Sequence, residues 1–237
     1  MLKLRNSSID MNEALLNQNI FYIPSLALKI HDVNIISDED KYLLFDDHTA
    51  KICYILLFDI NVDIDALMEI AKKYEPTISV VSLFDLTMKD YGFVHHLKTR
   101  QYTYEGSMLP INAPYLINDV TIDDLPYLTK HYYRIGRDET YIEEAIKRGM
   151  LKAVNEDGSI MGFIGEHPEH TLGLLFVEEK YRNRGIGRNL EYSLINRFLS
   201  LNKRPIDHVV IDNQKSNNLQ NSIPSMHLDE GFFNWFF

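Results

Sequence analysis

The stretch TLGLLFVEEKYRNRGIGRNLEYSLI, residues 171–195, constrains the fold more than any other part of this chain. An apolar run ends at Val177. From Gly185 to about Leu201, Ile186, Leu190, Leu194, Ile195, Phe198 and Leu199 recur on one helical face. The segment reads as a buried strand, a charged loop and an amphipathic helix. Period-2 and period-3.6 patterns alternate elsewhere as well, which predicts an α/β (α+β) fold.

The turn itself carries chemistry. A helix opens with N–H groups that have no internal partner, and its dipole adds partial positive charge there. Gly185 and Gly187 remove side chains that hold an anion away, and Arg182, Arg184 and Arg188 supply full charges. Such a set suits a pyrophosphate. A Rossmann turn wants G-x-G-x-x-G directly after its strand, whereas here Leu190 takes the third position and seven residues separate Val177 from Gly185. The P-loop string G-x-x-x-x-G-K-S/T does not occur. Spacing alone also allows a plain strand-to-helix turn on a solvated basic loop.

Composition narrows the partners. Among 237 residues, 34 are acidic and 24 basic, a net charge of −10. That argues against nucleic-acid binding, which needs a basic face to release phosphate counterions. Cys53 is the only cysteine, so an internal disulfide and a multi-cysteine zinc site are excluded. The histidines show no ligand spacing, and no metal is expected. No apolar run approaches the roughly 18 residues needed to cross a bilayer. The N-terminus lacks a signal-peptide apolar core. The expectation is a soluble cytoplasmic protein without a membrane partner.

Along the chain, KICYILLF (51–58) predicts a buried strand, Asp63 caps a helix over Ile64, Leu67, Met68 and Ala71, and Pro76 ends it. ISVVS (78–82) and LKTRQYTYE (97–105) predict strands. Gly106, Pro110 and Pro114 cluster, so a boundary is expected near residue 112, giving domains 1–112 and 113–237. Helices are predicted over 123–134 and 139–149, a hairpin over 150–155 and 160–166, and strands over 171–177, 208–212 and 232–237. A short helix is predicted over 216–223.

Arg182-x-x-Gly185-x-Gly187 between a strand and an amphipathic helix resembles the acyl-CoA signature Q/R-x-x-G-x-G/A of the GNAT N-acyltransferase superfamily. Asn213-Gln214-Lys215-Ser216-Asn217-Asn218-Leu219-Gln220 is similar to the N-x-x-S-x-x-L-Q element of its FR47-like and glycine N-acyltransferase-like branch. GFIGEHPEH (162–170) resembles that branch's G-F-x-G-x-H-x-E-G-S, with His170-Thr171 standing where relatives carry Gly-Ser. Ile223-Pro224-Ser225 likewise departs from the branch's L-G-F/M. The resemblance covers about residues 115–237. Through two-domain relatives it also suggests that the smaller mixed α/β N-terminal half is a degenerate GNAT-like counterpart.

What the resemblance implies is an acyltransferase using acetyl-CoA, or another acyl-CoA, as co-substrate and needing no metal. Leu175, Phe176 and Val177 would hold the pantetheine arm by their main chain. The amides of Arg182, Asn183, Arg184, Gly185, Ile186, Gly187 and Arg188 would hold the pyrophosphate. Asn213 and Ser216 would approach from the facing strand and helix. The acceptor would be the amine of a small molecule or amino acid, and attack on the thioester needs a base. Glu169 is the first candidate, with Glu166 and His170 behind it. Gln220 stands where many members place a Tyr general acid, with His227 a stand-in. Tyr132 and Tyr133 are candidates for the acceptor pocket. Two alternatives stand beside this reading: a catalytically silent acyl-CoA sensor and a protein-modifying acetyltransferase.

Overall fold

The computed structural model describes residues 18–111, 115–132 and 139–237. The boundary expected near residue 112 and the candidate Tyr133 lie outside them. By contacts the chain forms two compact units. Unit 1 comprises Met1–Gln101, Val209–Gln214 and Leu228–Phe237, and unit 2 comprises Tyr102–His208 and Lys215–His227.

Unit 1 holds helices α1 (Tyr22–Ile30) and α2 (Ile64–Ala71). Its strands are β1 (Val33–Glu39), β2 (Tyr42–Asp47), β3 (Ile52–Leu57), β4 (Thr77–Ser82) and the start of β5 (His96–Tyr104). The C-terminal strand β12 (Phe232–Phe236) also belongs here, giving the order β1-β2-β3-β4-β12-β5. Strand β3 is buried along its whole length. Ile52, Tyr54 and Leu56 face one apolar cluster while Cys53, Ile55 and Leu57 face another. A strand covered on both faces needs apolar residues at every position, hence the unbroken run ICYILL. Strands β3 and β4 are parallel, and α2 makes the crossover, capped by the Asp63 carboxylate accepting from Ala66 N–H at 3.0 Å. Strand β12 runs antiparallel to both neighbours, with Phe233 opposite Val81 and Thr99.

Unit 2 contains β6 (Ile117–Asp119), α3 (Leu125–His131), α4 (Glu139–Lys147), β7 (Leu151–Glu156), β8 (Ser159–Glu166) and β9 (Leu172–Val177). They are followed by α5 (Ile186–Ser200), the start of β10 (Ile206–Val210), α6 (Gln214–Asn221) from Lys215 on, and the start of β11 (Met226–Leu228). The sheet order is β10-β9-β8-β7-β6. On one face Ile186, Leu190, Leu194, Ile195 and Phe198 of α5 bury against Met161, Ile164 and Leu172. On the other, Leu128, Ile142 and Ile146 pack on Ala153, Phe163 and Leu174. Tyr132 belongs to this second core: it is 5% exposed and meets Phe163 edge-on, so it packs rather than lining an open pocket. Among the described residues no helix is long and apolar enough to cross a membrane.

Strand β9 carries an irregularity that shapes the site. Gly165 opposes Gly173 and Phe163 opposes Phe176, so β9 uses one residue more than β8 over the same interval. Leu174 takes up the extra residue with φ 54°. This β-bulge shifts the alternation, leaving Leu172 in one core and Leu174 in the other.

Candidate active site

The loop from β9 to α5 is tied down by its own signature arginine. Arg182 Nε donates to the Val177 carbonyl at 3.0 Å. Asn183 and Gly185 adopt left-handed backbone, with φ of 62° and 80°. Glycine does so without a Cβ penalty, and Gly185 is the N-cap of α5. The first intrahelical bond is Asn189 N–H to the Gly185 carbonyl at 3.0 Å. The amides of Ile186, Gly187 and Arg188 therefore have no acceptor inside the helix.

Access to these amides is open. A Cβ on Gly187 would meet only Val177 Cγ2 at 3.6 Å, and one on Gly185 only Asn189 Nδ2 at 3.9 Å. Arg182, Asn183, Arg184, Gly185 and Arg188 are exposed, Gly187 is half-buried, and Ile186 anchors the turn in the core. The Arg184 guanidinium lies over the Tyr181 ring at 5.3 Å, and Arg188 Nη2 donates to Ser222 Oγ at 3.3 Å. Both charges are held beside the helix end.

Strands β9 and β10 are parallel and register at one position, Asp207 with Leu172. Beyond it Leu175, Phe176 and Val177 are half-buried, while their other edge still pairs with β8 through Phe163 and Gly162. Ser216 lies in α6 of unit 2. Asn213 belongs to unit 1, where its N–H donates to the Val210 carbonyl at 2.9 Å.

The β8–β9 turn holds three sequence candidates in different states. Glu166 is buried and bound to His170 Nδ1 at 2.6 Å and to Lys203 Nζ at 2.9 Å. Burial pushes its carboxyl up, but these two partners outweigh burial and leave it below the ordinary value. Both partners meet the same oxygen, Oε1. His170 is engaged in the same cluster, 3.2 Å from Lys203 Nζ, with φ 67°. Glu169 is 5% exposed and accepts from Thr171 Oγ1 at 3.2 Å. His167 packs its ring on Gly173, where a Cβ would come within 2.1 Å of Nε2, and its Nδ1 lies 2.5 Å from the Tyr141 hydroxyl. His227 is exposed.

A buried acidic cluster escaped the sequence reading. Gln220 Nε2 donates to Glu191 Oε1 at 3.0 Å and to Asp207 Oδ2 at 2.6 Å. These residues are 1%, 2% and 9% exposed, and Gln220 Oε1 has no hydrogen-bond partner. Burial pushes Glu191 up to about 7, against the lowering effect of the Gln220 bond. The only sequence sign is Glu191 on the apolar stripe of α5. Asp207 is also the residue at which β10 meets β9.

The sequence of residues 130–218 matches the family model of the acetyltransferase (GNAT) domain. No curated protein matches the chain. The fold is similar to that of a Drosophila melanogaster protein, with a TM-score of 0.66 at 11% identity over 97% of this chain and 94% of that one. It is similar to a GCN5-related N-acetyltransferase-like protein from Streptococcus suis, with a TM-score of 0.56 at 10% identity over 98% and 99%. A GNAT-family acetyltransferase from Colwellia psychrerythraea gives a TM-score of 0.52 at 11% identity over 98% of each chain. The glycine-capped turn lies inside the segment that matches the GNAT acetyltransferase model.

Proposed function

We propose that the protein moves the acyl group of acetyl-CoA, or another acyl-CoA, to the amine of a small molecule or amino acid by direct attack on the thioester. The observation that carries this reading is the glycine-capped N-terminus of α5 beside the half-buried end of β9, to which Arg182 fastens it through the Val177 carbonyl. Arg182 to Arg188 would receive the pyrophosphate, and Leu175 to Val177 the amide-rich arm. Asn213 and Ser216 keep their assigned roles within this proposal.

An ammonium has no lone pair, and a lysine-type amine has a pKa near 10.4. A base must therefore take a proton as attack proceeds. Strand β9 spans about 20 Å for its six residues. A ligand laid along it from the Gly185 end has its far end near the 166–170 turn. Glu169 is our choice of base, because Glu166 and His170 are engaged with each other and with Lys203. Placement in the cytoplasm is part of the same proposal.

A second reading rests on Gln220. An amide donates no titrating proton, and the Nε2 of this one donates to two carboxyl groups. An acyl-CoA sensor without turnover fits that feature. The experiment separating the two follows free thiol during incubation with acetyl-CoA and a panel of small amines and amino acids. Thiol release that needs an amine supports the enzyme. Binding without release across the panel supports the sensor.

A further inference from the structure

Unit 1 holds a cluster that the acyl-transfer reading does not use. Asp46 is the last residue but one of β2, His48 follows in the turn before β3, and Glu75 lies between α2 and β4. One ligand atom from each lies within 4.8 Å of the other two. His48 Nδ1 is 3.2 Å from Asp46 Oδ2 and 3.4 Å from Glu75 Oε1. The sequence shows only Asp46-x-His48; Glu75 comes 27 residues after His48 and joins through the fold.

His48 Nδ1 reaches the two carboxylates as a long three-centre hydrogen bond, at 3.2 Å and 3.4 Å, against about 2.7–2.9 Å for a charge-assisted bond. These two distances also suit ligands sharing an ion: with Zn–N and Zn–O bonds of about 2.0–2.2 Å, the edge of a tetrahedron is about 3.3–3.6 Å.

Asp46 supplies an independent sign. Its side chain is 3% exposed, and its Oδ1 has no hydrogen-bond partner. A buried carboxylate oxygen left unpaired is costly, and a cation removes that cost. His48 and Glu75 are 47% and 21% exposed at the side chain, so the cluster opens to solvent on one side. Water can complete the coordination there.

We propose that Asp46, His48 and Glu75 bind one divalent cation of the zinc type, with water as the remaining ligand. One imidazole and two carboxylates form a nitrogen–oxygen set that zinc accepts. The ion ties the β2–β3 turn to the segment entering β4. The proposal does not rest on acyl transfer.

The test uses the tag-free, full-length chain stripped with chelator and titrated with Zn²⁺ and Co²⁺. The expected result is one Zn²⁺ per chain, a higher melting temperature with Zn²⁺, and the visible absorption of protein-bound Co²⁺. His48→Ala and Glu75→Gln, both at solvent-open positions, are expected to weaken Zn²⁺ binding about 100-fold. A chain that binds neither metal at micromolar concentration overturns the site. So does binding that both variants leave unchanged, which would place the ion elsewhere. Thiol release from acetyl-CoA, followed in parallel, reports separately on the other unit.

Discussion

Arg182 reaches back five residues to the carbonyl of Val177, Nε to O at 3.0 Å, so the turn that caps α5 is fastened to the last residue of β9. The contact fixes the loop geometry and still leaves the rest of the guanidinium for a phosphate. Arg182→Ala is expected to weaken acetyl-CoA binding about tenfold, or about 1.4 kcal/mol by calorimetry. Arg184→Ala, which removes a charge stacked on Tyr181, is expected to cost less.

Gln220 bridges Glu191 and Asp207 with both of its amide hydrogens. Gln220→Leu keeps much of the volume but removes the amide that Glu191 and Asp207 share. The expected loss is about 3 kcal/mol in urea unfolding, because removing one partner exposes the full desolvation cost. An unchanged midpoint would contradict the buried cluster.

Glu191 makes stability fall as pH rises. Its folded value is raised to about 7 from 4.5, so between these values the folded chain keeps a proton that the unfolded chain releases. The stabilisation is complete below pH 4.5 and is lost as pH passes through about 7. Glu191→Gln is expected to flatten this part of the profile, measured as melting temperature against pH.

Glu166 behaves in the opposite sense. Its folded value is lowered by His170 and Lys203 despite burial, so its contribution is present above the ordinary carboxylate value and disappears on acidification. Lys203→Met is expected to cost about 1–2 kcal/mol at neutral pH, discounted for the partial exposure of Lys203. The same variant is expected to weaken the loss of stability in acid. A neutral effect at pH 7 would show that His170 alone holds the buried carboxylate.

The strand–turn–helix around Gly185 was legible because three local signals agree there: an apolar run, glycines at the cap and a 3.6-residue stripe. Strand β3 was legible from its unbroken apolar run. The β1–β2 hairpin was not, because Ser37, Asp38, Glu39 and Asp40 read as loop. Nor was α1, whose Pro24 looks like a helix stop although it lies in the first turn, where a missing N–H costs little. FFNWFF reads as a strand, but its place between β4 and β5 depends on partners over 130 residues away. The bulge at Leu174 left no mark, since nothing in a leucine signals a positive φ. The acidic cluster needed Glu191, Asp207 and Gln220 to meet from three elements, which spacing does not show. Glu166 and Glu169 look alike in EHPEH and separate only when Lys203 arrives from beyond α5.

The most direct test of the account is the thermal shift given by acetyl-CoA in the native chain and in Gly187→Glu. The substitution has room, with Val177 Cγ2 at 3.6 Å from the new Cβ, and an acidic side chain in a first helical turn favours the helix. It also puts negative charge where the pyrophosphate is to sit. The native chain is expected to gain about 5 °C or more at a hundredfold excess over Kd, and the variant to gain nothing. A native chain whose melting is indifferent to acetyl-CoA, or a variant that responds as the native chain does, would contradict the assignment of this turn.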